Sequence, residues 1–421
     1  MKIADITARE ILDSNGNPTL EAQVALEDGV VALGGVPAGA SVGQNEAFEL
    51  RDNDKSRFFG KGVLKAKNNV LGPIKKALVG LDADDQQKID KILIELDGTK
   101  DKSKLGANAI LGVSMATCRA SARSKKIPLY EYFGQLSENS VFGLPQPQVL
   151  LLEGGKHGRW AFDFQEFFIV PCKEAFPSFS ERIRVGAEIY QKLKSLLEEK
   201  GVFSGVGFEG AFVLADAKSN EQAIELILEA TTKAGYAISK QILLGIDFAA
   251  SEFFLNGNYQ LKKNHETFSE EEWLSRVEKL SQDYPLWSLE DPLAQNRLES
   301  WGRLYQKLGN ELQIVGDDLT TTNTQKIKNA YEAGAINSVI IKPNQIGTIT
   351  ETIEAILFCR EKGISTIISH RGGETNDDLI ADLCVGTGSW QCKFGSPNRG
   401  ERVAKYNRLI RIEEKLLSKR A

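Results

Sequence analysis

Apolar and polar residues alternate through the first sixty or so positions of the chain, most clearly in "TLEAQVALEDGVVALGGV". That period places successive side chains on opposite faces of a strand, and "EDG" in its middle is a turn signal, so the stretch predicts a hairpin. The period then lengthens. "GVLKAKNNVLGPIKKALVG", "DQQKIDKILIEL" and "ANAILGVSMATCRASARSKK" each carry apolar residues at helical spacing. Strands followed by helices predict a compact α+β domain over residues 1–135. "GLPQPQ" at 143–148 reads as a linker into a second domain, 143–421.

From about residue 149 short apolar runs alternate with amphipathic helices. Each run stops at a polar residue: "ILLGIDFAASEFF", "YPLWSLEDP", "LQIVGDDLTTTN", "SVIIKPNQ", "STIISHRGG" and "SWQCKFGS". The residues at the stops are Asp247, Glu290, Asp317, Lys342, His370 and Lys393, separated by 43, 27, 25, 28 and 23 residues. Most of these intervals fit one strand, one helix and their loops, which predicts an α/β barrel. In a barrel the carboxyl ends of the strands converge on one mouth. A lone lysine after a strand reaches water by itself, and a lone acid there caps the next helix. Six polar strand ends in register point instead to a site.

Bulk properties narrow the function. A chain of 421 residues with 42% hydrophobic content suits a large barrel with a smaller attached domain. A net charge of −5 offers no basic footprint for nucleic acid. The five cysteines are odd in number and dispersed, with no CxxC, which argues against a disulfide framework or zinc cluster. No run approaches eighteen apolar residues, and "MKIADITAREILDSNG" lacks the apolar core of a signal peptide. These features predict no membrane contact and a cytoplasmic location.

Asp247, Glu290 and Asp317 on successive strands offer hard oxygen donors suited to Mg²⁺. Packed together without a cation, their acid forms are expected to be favoured. Lys342 and Lys393 beside a divalent cation are expected to be partly neutral, and a neutral lysine is a usable general base. Carbanion chemistry beside a carboxylate needs such a base, together with cations to hold the enediolate. "EGGKHGRWAFDFQEFF" adds His157, Gln165 and Glu166, and "GVGFEGAF" presents Glu209 between glycines as a candidate general acid. His265 reads as a surface residue.

These residues and their surroundings resemble the enolase family, whose superfamily is the standard example of a Lys or His base working with one or two Mg²⁺ ions. The resemblance runs through "ILDSNGNPTLE", "GASVGQNEAFELRDNDKSRFFGKGV", "GANAILGVS", "DFQEFFIVP", "DFAASEFF", "SLEDPL", "VGDDLTTTN", "IIKPNQIGTITET", "ISHRGGET" and "ERVAKYNRLIRIEE". It implies an α/β fold: an eight-stranded barrel with an atypical ββαα start, and an N-terminal α+β capping domain. It implies Mg-dependent dehydration of 2-phosphoglycerate, with two Mg²⁺ ions per site. By resemblance Asp247, Glu290 and Asp317 hold the first ion and Ser41 reaches the second. Lys342 is the base, Glu209 the acid, and His157 and Glu166 stand with them. Lys393, Arg371, His370, Gln165 and Gly372 surround the substrate. The resemblance further implies a homodimer or higher oligomer, with Arg9, Glu21, Glu401 and Arg411 pairing across the interface.

The chain also departs from the family pattern: Asn15 for Arg, Ala38 for Ser, Val42 for Thr, Glu153 for Asn, Phe208 for Asp, Ala211 for Gly and Gly372 for Ser. Ala38, Val42, Phe208 and Gly372 are expected around the phosphate and the leaving group. This leaves two alternatives open. One is a paralogue acting on a related phosphorylated or phosphonate acid, as carboxyphosphonoenolpyruvate synthases do; the other is a non-catalytic structural paralogue.

Overall fold

The computed structural model describes residues 1–39, 45–263 and 265–419. The alternating N-terminal segment forms an antiparallel sheet, β1 (Ile3–Leu12), β2 (Pro18–Leu26) and β3 (Val31–Gly35). The hairpin expected at "EDG" joins β2 to β3, with Ala25 opposite Val31, and Gly29 adopts a φ of +85°. Leu20, Ala22, Val24 and Leu26 point inward from β2. They pack with Ile110, Val113, Ala116 and Ala120 of the helix Ala107–Ser124. That helix is buried nearly all round, because Leu111, Met115, Cys118 and Ala122 on other faces join the core of the barrel.

Residues 62–80 depart from a single helix. Helical turns at Leu64–Asn69 and Lys75–Leu78 flank a widened turn, Val70–Ile74, that contains Pro73. Proline brings no N–H to the helical ladder, and the wider turn absorbs the loss.

The second half opens with β4 (Gln146–Glu153) and β5 (Glu166–Pro171). A long helix, Phe179–Glu199, follows, then a hairpin of β6 (Ser204–Val206) and β7 (Phe212–Leu214), and a second helix, Asn220–Lys233. After β8 (Ile242–Asp247), β9 (Phe254–Leu255), β10 (Asn258–Leu261) and β11 (Glu266–Phe268) make a small separate sheet. Then β12 (Leu286–Glu290), β13 (Gln313–Gly316), β14 (Ser338–Ile341), β15 (Ser365–Ser369) and β16 (Gln391–Lys393) alternate with helices. Strands β4, β5, β8 and β12 to β16 close into an eight-stranded barrel, since β16 pairs with β4. Strand β5 runs antiparallel to both neighbours, which is the ββαα start, and the other barrel pairs are parallel. The barrel strands read as apolar runs rather than alternations because both faces are covered.

All five cysteines are free and buried. Among the described residues no helix is long and apolar enough to cross a membrane.

Gly34 tests the seam between the N-terminal sheet and its helix. A Cβ there would stand 2.4 Å from the Gly112 carbonyl oxygen and 2.9 Å from the Ala116 nitrogen, both backbone atoms. Gly34→Ala should cost about 1–3 kcal/mol by overpacking, read as a lower midpoint of urea unfolding.

Candidate active site

The carboxyl ends of the barrel strands bring the six strand-end residues to one mouth. Lys393, the last residue of β16, is buried, and its Nζ lies 2.8 Å from Glu290, 3.1 Å from Glu166 and 3.3 Å from Asp247. Lys342 follows β14, and its Nζ lies 2.5 Å from Asp317 Oδ2. Gln345 donates to the other Asp317 oxygen at 2.9 Å, and Gln165 donates to Asp247 at 3.3 Å.

The backbone is strained where these side chains are presented. Ala249, Asp291, Thr321 and Thr322 have φ between 41° and 55°, and all four are buried just beyond strand ends. Non-glycine residues adopt this region only when their surroundings hold them there. Part of the holding comes from carboxylates. Asp247 Oδ1 accepts from the Ala249 N–H at 2.9 Å, and Asp291 accepts from the N–H groups of Asp317 and Asp318 at 3.0 and 2.7 Å.

The charges at the mouth do not all move as the sequence suggests. Burial, then Asp247, push Glu290 well above the usual carboxylate range. Burial also raises Asp247, against the pull of Lys393. Asp317 goes the other way: burial raises it, but the Lys342 ammonium outweighs burial and holds it below its ordinary value. Burial pushes both lysines down, yet Asp317 holds Lys342 above its ordinary value and Glu166 with Glu290 holds Lys393 well above. Without a cation the protein's own carboxylates therefore keep both lysines as ammonium ions; the partly neutral lysines are expected beside a divalent cation. A neutral Lys342 requires opposing positive charge at those acids.

These acidic groups can bind a metal ion. Their donors are all hard carboxylate oxygens, and Glu290 Oε1 is buried with no hydrogen-bond partner in the fold. Lysine ammonium groups stand among Asp247, Glu290 and Asp317. Among the described residues the sets that bring their ligand atoms within 4.8 Å of one another are His157 with Glu166 and Glu209, and Asp291 with Asp317 and Asp318, rather than the expected trio. Ser41 and Val42 lie outside the described residues.

A second set of groups surrounds Glu209, which sits in the turn between β6 and β7. His157 Nδ1 lies 3.4 Å from Glu209 Oε1 and 3.6 Å from Glu166 Oε1. On the other side His370 Nε2 lies 3.2 Å from Glu209 Oε2. The two histidines carry different charge. His370 Nδ1 is 2.7 Å from Nη1 of the fully buried Arg402, which can only donate, so His370 accepts at Nδ1 and carries its proton on Nε2. Burial drives its pKa down, and it is neutral. His157 is also buried, but Glu209 and Glu166 outweigh burial and raise it to about 9. Burial raises Glu209, but His370 and His157 outweigh that and hold it well below its ordinary range.

His157, Gln165, Glu166, Glu209, Lys342, His370, Arg371, Gly372 and Lys393 line one enclosed space, which the fold thus assembles from separate strand ends and loops. Its volume is about 10 Å³, room for about one water. Arg371 faces it while paired with Glu46 at 2.9 and 3.1 Å and with Asn344 at 2.9 Å. A substrate anion at Arg371 has to compete with the Glu46 carboxylate.

The departures do not gather around this space as expected. Gly372 lines it, and its carbonyl accepts from Ser14, Asn15 and Arg402. Ala38 does not line it. Its backbone exchanges two hydrogen bonds with Gly373, at 2.7 and 2.9 Å. Phe208 and Asn15 line an open outer groove that meets the site at His157. Sequence reasoning misses Arg402, Glu46, Asp291 and Gln345. Of these only Asp291 has a local signal, as a second acid directly after Glu290.

Fold and site together define an α/β barrel with acid–base groups and carboxylates at the carboxyl ends of its strands. Residues 3–133 match the sequence model of the enolase N-terminal domain, and residues 141–421 match that of the enolase C-terminal TIM barrel domain. The chain belongs to the enolase family.

The histidine charges are directly measurable. Of the three histidine imidazoles, His157 should titrate near 9 in ¹⁵N spectra and His370 below its ordinary value. Because the folded pKa of His157 is raised, its contribution to stability is complete below its ordinary value of 6.5 and is lost as pH rises through about 9. Glu209→Gln should bring the His157 titration down.

Proposed function

We propose that the protein removes water from 2-phosphoglycerate to give phosphoenolpyruvate. What carries this reading is one enclosed space lined by a lysine, Lys342, and a carboxyl group, Glu209, that reach it from different elements. Lys342, as the free amine, takes the C2 proton. Glu209, ionised in the resting protein, takes the proton held on His157, whose charge Glu166 shares, and passes it to the departing C3 hydroxyl, so that a C–O bond breaks, a C=C bond forms and water leaves. Arg371 and Gly372 receive the phosphate, Lys393 the carboxylate, and Gln165 and His370 orient the acids. Asp247, Glu290 and Asp317 would hold one Mg²⁺ ion and Ser41 would reach another; when bound, the ions supply positive charge against the substrate carboxylate. With positive charge held at Asp317, Lys342 would be released from the pairing that keeps it an ammonium ion.

The reading includes a cytoplasmic homodimer or higher homo-oligomer. Arg9 and Glu21 pair within the chain at 3.2 Å, Arg9 is 52% exposed, and Arg411 is exposed, so these charges are within reach of a second subunit. Glu401 faces Arg399 and Arg402.

Purified protein with Mg²⁺ and 2-phosphoglycerate should produce the enol absorbance, and exhaustive chelation should abolish it. Lys342→Ala should stop exchange of the substrate C2 proton with deuterium, while Glu209→Gln should slow water loss and leave some exchange. Exchange at the parent rate in Lys342→Ala refutes the assignment of the base.

Gly372 favours a second reading, an acid with a bulkier phosphorus group, because it brings no side chain to the space it lines. The two separate in the ratio of kcat/KM for 2-phosphoglycerate and a bulkier phosphonate analogue. For the first reading Gly372→Ser leaves 2-phosphoglycerate turnover unchanged or improved; for the second it cuts turnover of the analogue.

A further inference from the structure

Glu153 ends β4 and is fully buried. Its two oxygens live differently. Oε1 accepts the N–H of Glu209 at 3.0 Å and that of Ala211 at 2.9 Å. Oε2 is buried with no hydrogen-bond partner. It faces Gly207, where even a Cβ would stand 2.3 Å away. The same turn is tied at other points: Ser396 donates to the Glu209 carbonyl at 3.0 Å, Arg402 to that of Phe208 at 2.9 Å and Tyr190 to that of Gly210 at 3.1 Å. Glu153 alone among these residues holds the N–H of Glu209.

The groups that face Glu153 come from every element around it. Glu166 is its register partner on β5, Glu209 is in the turn it holds, and His157 lies on the loop that follows β4. Tyr190 reaches toward it from the helix Phe179–Glu199, and Arg399 lies behind Gly207, donating to that residue's carbonyl at 3.1 Å. As a carboxylate, Glu153 would place an unpaired buried negative oxygen beside two carboxylates that already share the His157 charge. As a carboxylic acid it keeps a carbonyl oxygen for both N–H groups and leaves only a hydroxyl unpaired, a much smaller cost.

We propose that Glu153 is a positioning residue that works as an uncharged carboxylic acid, fixing Glu209 through its backbone while leaving the His157 charge to Glu209 and Glu166. An amide would do the same work, and Asn is what the family resemblance leads one to expect at this position. Burial first, then the charge of Glu209, push the Glu153 acid up to about 8, so the functional form prevails below that pH and is lost above it. The inference rests on the reading of Glu209 as the proton donor, although the protonation of Glu153 does not.

Two measurements on the full chain test it. The first is the infrared difference between the parent and Glu153→Gln at neutral pH, without substrate. A carboxylic acid C=O band present in the parent and absent in the variant supports the inference; no difference in that region overturns it, whether or not 2-phosphoglycerate is turned over. The second is the pH profile of kcat with Mg²⁺ and 2-phosphoglycerate. Glu153→Gln should keep the parent rate at pH 7 within about threefold and move the alkaline limb upward. Glu153→Ala should lower kcat by about tenfold or more, with a far smaller change in KM, because the acid is displaced rather than removed. A folded Glu153→Gln that loses as much as Glu153→Ala, or keeps the parent's alkaline limb, overturns the inference. Glu209→Gln turning over at the parent rate would instead refute the role of Glu209.

Discussion

One ammonium group ties the barrel mouth together. Lys393 arrives on β16 and meets Glu166 from β5, Asp247 from β8 and Glu290 from β12, all of them buried. Three carboxylates cannot be taken out of water side by side without a positive charge among them, and removing one partner from such a group leaves the others uncompensated. The arrangement fixes strand ends that are distant in sequence, and it fixes them to within a hydrogen-bond length. Every other group at the mouth is set relative to that knot. Lys342 and Asp317 form a smaller copy of it on the next strands.

Around Glu209 the same physics works by division. Two buried histidines of the same type face one carboxylate and end in opposite charge states, because Arg402 occupies Nδ1 of His370 while Glu166 and Glu209 both face Nδ1 of His157. The neighbourhood, not the residue type, decides which imidazole stores a proton. Arg402 serves two ends here, since it also binds the carbonyls of Phe208, Arg371 and Gly372 and so joins the last helix to the segments around the site.

Much of this was legible in the sequence where the signal is local. The hairpin at "EDG" follows from a two-residue period and a turn, and the strand ends follow from the recurrence of apolar runs that stop at a polar residue. What could not be read was whatever depends on pairing across long separations. Arg371 and Glu46 meet across 325 residues, and nothing near either announces the other. The direction of Phe208 is equally hidden, because a turn residue beside Glu209 faces either the acid or the outer groove according to contacts made elsewhere. The helix Ala107–Ser124 carries a helical period, yet its burial on more than one face comes from a barrel that lies later in the chain. Pro73 was visible, but not the widened turn that accommodates it.

Closure of the barrel has a consequence for how the chain acquires its structure during synthesis. Strand β4 pairs with β5 and, at Leu152 alone, with β7, but its stretch Gln146–Gln148 finds its barrel neighbour only in β16, and the side chains of Gln148 and Gln391 that meet at this seam lie 243 residues apart. Until that last strand emerges, β4 and β15 each present an open edge, a template for pairing with other chains. The N-terminal sheet and its helix can pack early, but Leu111, Met115, Cys118 and Ala122 then stay uncovered while the barrel is made. Closing so long a loop is slow as well as late. The nascent protein therefore passes through a long interval with an unsealed sheet and a bare apolar face. Substitutions that weaken the β4–β16 seam should lower the yield of folded protein more than they lower the stability of molecules that have already closed.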